Sequence, residues 1–270
     1  MKPMKKTILT FALLAASLAL SQAQVPDKFT IEEKPCVDIA AYPQDADGYY
    51  HIFDGTSLEG WRGYGRDTVP AGWSVREGIM CFVPTPGKEE DLIFACKFKN
   101  FILELDWNIS KGGNSGILYL AREAYSYTKK GRKYYRDIYV TAPEYQFLDD
   151  ANYEDQFASE RGCHNSAALY DMIPPKEVNT HPYGQWNHAK IVVRDGHVEH
   201  WQNGVKVVEY DLWTPEWNRM IDESKFSLSN WPTANVLLKD VGGAEHMGYI
   251  GLQDHDDPFF VKDVKVKILP

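Results

Sequence analysis

The chain has 270 residues, a formal net charge of −9 at pH 7, 16 tyrosines and 8 tryptophans. The negative charge argues against a nucleic-acid partner, because phosphates are bound mainly by lysine and arginine. The length allows one large all-β domain or two small ones, and the aromatic side chains either stack on sugar rings or fill the cores of β-sheets.

The first 23 residues have the pattern of an export signal. Three lysines between Lys2 and Lys6 precede an apolar run from Ile8 to Leu20, and Ser21-Gln22-Ala23 supplies the small residues that a signal peptidase reads. A membrane anchor is the alternative, but this run is short for a bilayer and no later segment is long and apolar enough to span one. We therefore expect residues 1–23 to be a signal peptide and the protein to be exported, to the periplasm or the extracellular space.

Residues 24–47 hold three prolines among mixed charges and predict an irregular lead-in. After them, short runs of alternating apolar and polar residues predict β-strands. The dipeptides Asp195-Gly196 and Asn203-Gly204 favour tight hairpin turns, so residues 186–210 should form three consecutive antiparallel strands. The other predicted elements are strands at 78–83, 92–98, 101–109, 117–121, 144–148, 167–170 and 259–269, and one short helix at 216–224.

Many strands without alternating helices indicate an all-β fold, an antiparallel two-sheet sandwich, formed by residues 48–270 as a single domain. The irregular stretches 125–140 and 229–247 are expected at the rim of a cleft, because loops on a rigid sandwich set binding specificity. A hairpin of strands 78–83 and 92–98 would bring Cys81 and Cys96 opposite each other, as a disulfide or as two buried thiols. No Cys-x-x-Cys spacing supports a zinc site.

The predicted strand 144–148 carries polar residues in phase. Alternation places Glu144 and Gln146 on one face and the aromatic residues between them on the other. The pair is either a base beside a hydroxyl-binding amide or a solvent-facing polar edge. Laminarinase-type glycosidases have Glu-x-Asp-x-x-Glu on such a strand, whereas this chain reads Glu144-x-Gln146-x-x-Asp149. The amide replaces the middle acid, so a retaining mechanism with two carboxylates is not supported.

Three further residues extend this polar set if their strands line one concave sheet. They are His200, Gln253 and His255. A neutral imidazole can act as a general base, a metal ligand or an oxyanion partner. No dense metal-binding motif is present, so no cofactor is certain and a divalent metal ion remains an open alternative.

Two loop motifs add candidate substrate-binding residues. Asn114 follows two glycines, and its amide either belongs to a turn or binds a sugar hydroxyl. Tyr170 and Asp171 begin a loop, in which Asp171 is either a turn residue or an acid in the cleft.

Six short motifs follow one another along the chain: Phe53–Trp61, Gly113–Ile117, Glu144–Gln146, Ala168–Asp171, Trp186 to Gly204 and Leu252–His255. In this order they resemble the 3-keto-disaccharide hydrolase family, which consists of secreted bacterial proteins with a concanavalin-like jelly-roll fold. The resemblance covers Tyr50 to Leu269. The chain departs from the family at Lys262, where arginine is common, and in a longer, tryptophan-rich segment at 213–246.

The resemblance implies an exported enzyme that acts on a carbohydrate substrate, cleaving 3-keto-glycosides by elimination and hydration. Such a reaction needs one base and one group that stabilises the enolate oxygen: an imidazolium, an amide or a bound divalent cation. Glu144 and His255 are the first candidates for the base, and His200 is the third. A non-catalytic carbohydrate-binding module and an ordinary glycoside hydrolase of the same fold are the alternatives. An enzyme, unlike a binding module, needs a buried or perturbed acid–base group in its cleft.

Overall fold

The computed structural model describes residues 27–88, 90–153 and 161–270. The predicted signal peptide, residues 1–23, lies outside these ranges. Within them, no helix has the length and apolar character needed to cross a membrane. Antiparallel β-sheets dominate this part of the chain and pack as a sandwich, which confirms the predicted all-β fold class.

The strands are short and are numbered here in chain order. They are β1 (Thr30–Ile31), β2 (Tyr50–His51), β3 (Trp61–Gly63), β4 (Trp73–Arg76), β5 (Ile79–Phe82), β6 (Leu92–Phe98), β7 (Phe101–Ile109), β8 (Asn114–Ala121), β9 (Ala124–Lys129), β10 (Arg132–Tyr135), β11 (Glu144–Leu148), β12 (Asn187–Arg194), β13 (His197–Gln202), β14 (Val205–Asp211), β15 (Gly248–Leu252) and β16 (Phe259–Ile268).

The larger sheet has the order β14-β13-β12-β7-β16-β5-β4, with β2 paired to β16. Strands β12, β13 and β14 pair consecutively and antiparallel, which confirms the prediction for residues 186–210. Asp195 and Asn203 have φ angles of 49° and 48°, and the glycine after each also has a positive φ. Two successive positive φ angles are those of the tight hairpin turn that Asp-Gly and Asn-Gly favour.

The smaller sheet has five strands in the order β11-β8-β15-β6-β3. Its inner face packs on the larger sheet, and the core lies between them. On β11, Tyr145 and Phe147 point into this core, where the Phe147 ring stacks on Trp107 of β7 at 4.4 Å between centroids. Burying an aromatic side chain of this size stabilises the fold by about 1.5–3 kcal/mol. Since side chains alternate along a strand, Glu144 and Gln146 lie on the outer face of the five-stranded sheet.

Structure also forms in the stretches predicted to be irregular. The lead-in contains β1, which pairs with β9 of the hairpin β9–β10, and a 3-10 turn at Ile39–Ala41.

Helix α1 (Pro215–Glu223) agrees with the predicted helix, and its first turn is capped by the Thr214 hydroxyl. Helix α2 (Pro232–Lys239) lies in the stretch 229–247, where no helix was predicted. In the predicted strand 167–170 only Leu169 forms β-bridges, to Tyr145 and Ile173.

The predicted hairpin that places Cys81 opposite Cys96 is wrong, and the two residues are buried free thiols, the alternative to a disulfide. Cys81 is on β5 in the larger sheet, and Cys96 is on β6 in the five-stranded sheet. The chain between the two strands crosses from one sheet to the other instead of turning back as a hairpin. Cys96 instead neighbours Cys36 of the lead-in, which the backbone holds against β6 by the hydrogen bond from Val37 N to Ala95 O, 2.8 Å long.

Candidate active site

A polar pocket of about 140 Å³ opens on the outer face of the five-stranded sheet. Strands β8 and β11 and the end of β15 form its floor, and loops form its walls. Its lining residues are Asn114, Tyr139, Glu144, Gln146, Tyr170, Lys225, Gln253 and His255. Six of these, all except Tyr139 and Lys225, are candidates that the sequence analysis singled out.

Glu144 provides the titratable group at the pocket floor. Its side chain is buried, and that burial raises the pKa of the carboxyl group to about 7 against the opposing effects of Lys225 and His164. A Cβ atom on Gly116 of β8 would lie 2.8 Å from Cγ and 3.0 Å from Cδ of Glu144, so the carboxyl group occupies the space that glycine leaves empty. Among the described residues, none donates a hydrogen bond to this carboxyl group.

Two glutamine side chains offer acceptor oxygens beside Glu144. Gln146 Nε2 donates to Asn114 Oδ1 at 2.6 Å and to the carbonyls of Ser115 and Phe147, which fixes the orientation of its amide. Gln146 Oε1 and Gln253 Oε1 are both buried and have no partner within the described chain. An unpaired buried acceptor costs about 1–3 kcal/mol. Hydroxyl groups of a bound sugar would satisfy both oxygens.

His255 and Asn114 lie at the edge of the pocket. His255 follows β15 and is exposed, and its Nε2 atom is 3.5 Å from Asn114 Nδ2. Asn114 Nδ2 also donates to the Tyr153 hydroxyl at 3.0 Å. His255 therefore lies at the mouth of the pocket, in contact with solvent.

The loop after Leu169 brings Tyr170 to the pocket wall. Tyr170 N donates to the carbonyl of Glu144, and the Tyr170 hydroxyl accepts a hydrogen bond from Lys225 Nζ at 2.8 Å. Asp171 lies behind this wall and does not line the pocket. Its φ of 60° identifies it as a turn residue, and its carboxylate binds the His164 ring at 2.9 Å and the Lys225 backbone at 2.6 Å. Burial raises the pKa of Asp171, but these hydrogen bonds outweigh it and leave the pKa below its usual value.

The expected placement of His200 on the same face is wrong. Strand β13 belongs to the larger sheet, and His200 points into the core between the sheets, fully buried. Its Nδ1 atom donates to the Ala167 carbonyl at 3.0 Å, so Nε2 accepts from the Tyr119 hydroxyl at 2.7 Å. Burial lowers the pKa of this imidazole to about 4. His200 is thus a neutral hydrogen-bonding residue of the core and does not line the pocket.

Lys225 and Tyr139 were not anticipated from the sequence. Tyr139 lies at the end of the stretch 125–140, for which only a general role at the rim was predicted. Lys225 follows α1 by two residues, in a segment without strand periodicity. A lone lysine in such a segment carries no sequence signal, because its position depends on contacts with Tyr170 and Asp171 that are distant in the chain.

Potential metal ligands gather elsewhere. In the described ranges, two groups of three such side chains have ligand atoms within 4.8 Å of one another: Cys163, His164 and Asp171, and His197, Glu199 and Glu209. Neither group lines the pocket, where Glu144 and His255 are the residues of metal-binding type. Among the described lining residues, no three histidine, cysteine, aspartate or glutamate side chains come together, and the steps below are assigned to the chain's own residues.

A larger cleft of about 600 Å³ lies between the β9–β10 hairpin and residues 64–67. Charged side chains line it, but several pair with one another. Lys34 binds Asp67 at 3.0 Å, and Lys133 binds Glu32 at 2.5 Å. The smaller pocket, with a perturbed carboxyl group and unpaired amide oxygens, is the better candidate for chemistry.

The chain matches one protein family and a relative in it over most of its length. Residues 48–267 match the family model of the 3-keto-alpha-glucoside-1,2-lyase-like domain. A 3-keto-disaccharide hydrolase of Bacteroides thetaiotaomicron is 48% identical over 239 residues, which are 86% of this chain and 82% of that protein.

Two solved structures from Parabacteroides distasonis, both described as candidate glycosyl hydrolases, share the fold. One is 28% identical with a TM-score of 0.67, covering 83% of this chain and 95% of the other. The second is 23% identical with a TM-score of 0.59, covering 82% and 99%.

Proposed function

Since the chain belongs to the family of 3-keto-alpha-glucoside-1,2-lyase-like domains, we propose that it is an exported enzyme that cleaves 3-keto-glycosides, 3-keto-disaccharides among them, by elimination and hydration. Membership of this family makes it a hydrolase that acts on glycosidic bonds. One observation carries the finer proposal: a single carboxyl group, that of Glu144, is buried in a polar pocket with its pKa raised to about 7. A group that titrates near neutrality is well matched to the work of a general base.

The reaction begins at the second carbon of the oxidised sugar. The ketone at the third carbon acidifies the hydrogen on C2, Glu144 takes that proton, and the electrons of the C2–H bond form the double bond of an enediolate. When the carbonyl group re-forms, these electrons move to a C1–C2 double bond and the glycosidic oxygen leaves C1 with its bonding pair. That oxygen takes up a solvent proton at the mouth of the pocket, and Glu144 releases to solvent the proton it took from C2. Water then adds across the C1–C2 double bond and restores a 3-keto sugar with a hydroxyl group on C1.

The amide oxygens would orient this sugar. Gln146 Oε1 and Gln253 Oε1 are acceptors without partners in the described chain, and sugar hydroxyls are donors. The pocket volume of about 140 Å³ lies well below the 300–1,000 Å³ range of pockets for drug-sized ligands. This volume suits about one sugar ring, so the oxidised ring would enter the pocket and the leaving group would remain outside it.

The composition of the pocket disfavours ordinary glycoside hydrolysis. A two-carboxylate mechanism needs a nucleophile or base together with a separate acid on the two sides of the glycosidic bond. Among the described lining residues, Glu144 is the one carboxylic acid. Elimination needs a single base at the acidified hydrogen, and this requirement matches what the pocket offers.

The same carboxyl group argues against a non-catalytic carbohydrate-binding module. Binding alone can use aromatic and amide side chains, and keeping a carboxyl group buried with a raised pKa would only cost stability. A base needs that environment, so the raised pKa of Glu144 supports turnover rather than binding alone.

Incubation with a 3-keto-disaccharide and, separately, with its unoxidised parent tests the proposal, with sugar release followed by mass spectrometry. We expect release from the oxidised substrate alone. Glu144→Gln keeps the size of the side chain but removes the base, and should lower the rate about 10²–10⁴-fold. Glu177→Gln, an exposed change outside the pocket, is the matched control. Equal release from both substrates would refute the proposal, and so would full activity of Glu144→Gln.

A further inference from the structure

Lys225 reaches the pocket through a cage of aromatic rings. Its ammonium group lies 4.1 Å from the ring centroid of Tyr170, 5.1 Å from that of Phe226 and 5.5 Å from that of Tyr139. It also donates a hydrogen bond to the Tyr170 hydroxyl at 2.8 Å. Aromatic faces attract a cation within about 6 Å. The cage therefore holds the charge in place at the wall of the pocket.

The main chain of Lys225 is fixed as well. Its backbone N–H donates to Asp171 Oδ2 at 2.6 Å, and the other oxygen of that carboxylate binds His164 Nε2 at 2.9 Å. The His164 ring in turn stacks on Tyr170 at 4.5 Å. Both ends of the lysine are thus attached to two consecutive residues of one loop. Such double attachment is typical of a side chain that must stay within a fraction of an ångström of its working position.

Lys225 and Glu144 act on each other electrostatically. Lys225 is the largest of the influences that lower the pKa of Glu144 and oppose the effect of burial. Among the described lining residues, Lys225 is also the one side chain with a permanent positive charge. The pocket therefore places a base and a cation around the space for one sugar ring.

Several other polar groups of the pocket are less suited than an ammonium group to stabilise an anion. Gln146 donates its amide N–H groups to Asn114 and to two backbone carbonyls, and its unpaired acceptor oxygen would repel an oxyanion. The Asn114 amide already donates to Tyr153, and His255 lies at the exposed mouth. An enediolate oxygen needs a donor or a positive charge that is in place before the charge develops.

We propose that the Lys225 ammonium group binds the 3-keto oxygen and stabilises the negative charge that develops on it while Glu144 removes the proton from C2. This inference rests on the proposed function. As the C2–H electrons form the C2–C3 double bond, the carbonyl π electrons move onto the oxygen, and the Lys225 N–H···O hydrogen bond strengthens. When the carbonyl group re-forms and the glycosidic oxygen leaves, that hydrogen bond weakens again. Tyr170 and Asp171 are positioning residues, because they hold the lysine and do not themselves touch the reacting atoms.

Lys225→Met tests this role, because it keeps an unbranched side chain of nearly the same length and removes the charge. We expect kcat on a 3-keto-disaccharide to fall about 10²–10³-fold, the loss typical of one oxyanion donor, with a small change in KM. Exchange of the C2 hydrogen of 3-keto-glucose in D₂O should fall by the same factor, because exchange reports proton removal without cleavage. Lys190→Met, which removes a lysine over Trp201 on the larger sheet, should change neither rate.

Two further variants separate chemistry from folding. Lys225→Ala should regain part of its C2 exchange rate when ethylammonium is added, and a merely structural lysine would show no such rescue. Tyr170→Phe keeps the ring and removes the hydroxyl acceptor, so it should lower kcat by a smaller factor than Lys225→Met. Full C2 exchange in Lys225→Met would overturn the inference, as would an absence of rescue in a folded Lys225→Ala.

Measuring substrate preference and C2 exchange in the wild-type enzyme separates a wrong role for Lys225 from a wrong proposed function. If it neither prefers the 3-keto substrate nor exchanges the C2 hydrogen, the proposed function fails. If it does both and Lys225→Met does them equally well, the role of Lys225 alone is refuted.

Discussion

At the scale of single residues, the environment of Glu144 sets the pH at which the pocket can work. The carboxyl group must be ionised to accept a proton, and burial raises its pKa to about 7. We expect kcat/KM on a 3-keto-disaccharide to rise with pH through about 7 and to fall tenfold per unit below it. A pH–rate profile measures this directly. A profile that is level between pH 4.5 and 8 would show that Glu144 is not the base.

The same pKa has a consequence for stability. A carboxyl group that titrates near 7 in the folded protein and at 4.5 when unfolded binds its proton more tightly in the folded state. The folded protein therefore loses stability as the pH rises from about 4.5 to 7, by up to about 3 kcal/mol. Glu144→Gln removes this loss, so denaturant unfolding should show the variant gaining stability over the wild type at pH 8 but not at pH 4. An equal difference at both pH values would contradict the assigned pKa.

Gly116 gives Glu144 the space in which its carboxyl group lies. A methyl group at this position would lie 2.8 Å from Glu144 Cγ, inside contact distance. We expect Gly116→Ala to displace the carboxyl group and to lower kcat about 10–100-fold, because catalysis is sensitive to displacements of about 1 Å. The thermal midpoint should change by only a few degrees, since the methyl group faces the pocket. Wild-type activity in this variant would mean that the position of Glu144 is not critical.

At the scale of elements, the sequence predicted the features that depend on residues close together in the chain, namely the faces of strands and the hairpin turns. Alternation placed Glu144 and Gln146 on one face of β11, and the turn dipeptides predicted the β12–β14 hairpins. Which sheet a strand joins depends on pairing with distant residues. Strand β5 pairs with β16, and β6 pairs with β15, so neighbours in sequence lie in different sheets. The placements of Cys81 and His200 failed for this reason: local phase gives the face of a strand but not its sheet.

The lead-in makes a testable contact with β6. Cys36 and Cys96 are neighbours, and burial raises the pKa of the Cys96 thiol to about 11, with a smaller contribution from Cys36. Treatment with oxidised glutathione at alkaline pH, where thiolates form, should join these two cysteines by thiol–disulfide exchange. Peptide mass mapping should find the Cys36–Cys96 cross-link, and Cys36→Ser should abolish it. Failure of Cys36 and Cys96 to cross-link in the folded protein would contradict their placement as neighbours.

At the scale of the whole molecule, the sandwich is a support for one small polar pocket. The two packed sheets fix Glu144, Gln146 and Asn114 on adjacent strands, β11 and β8. Loops from distant parts of the chain add Tyr139, Tyr170 and Lys225. The strand residues could be singled out from the sequence because periodicity marks them. Lys225 could not, because folding alone brings it beside Tyr170.

In the proposed reaction, glycoside cleavage begins with proton removal from the second carbon of a 3-keto sugar. Cleavage of a 3-keto-disaccharide in D₂O, stopped at low conversion and analysed by NMR, tests it most directly, with the substrate in enzyme-free D₂O as the control. Because Glu144 releases the abstracted proton to solvent before hydration, the proton placed on C2 comes from solvent, and we expect one deuterium at C2 of the released 3-keto sugar. Release of that sugar with its original hydrogen still on C2 would show that cleavage does not begin with proton removal from C2.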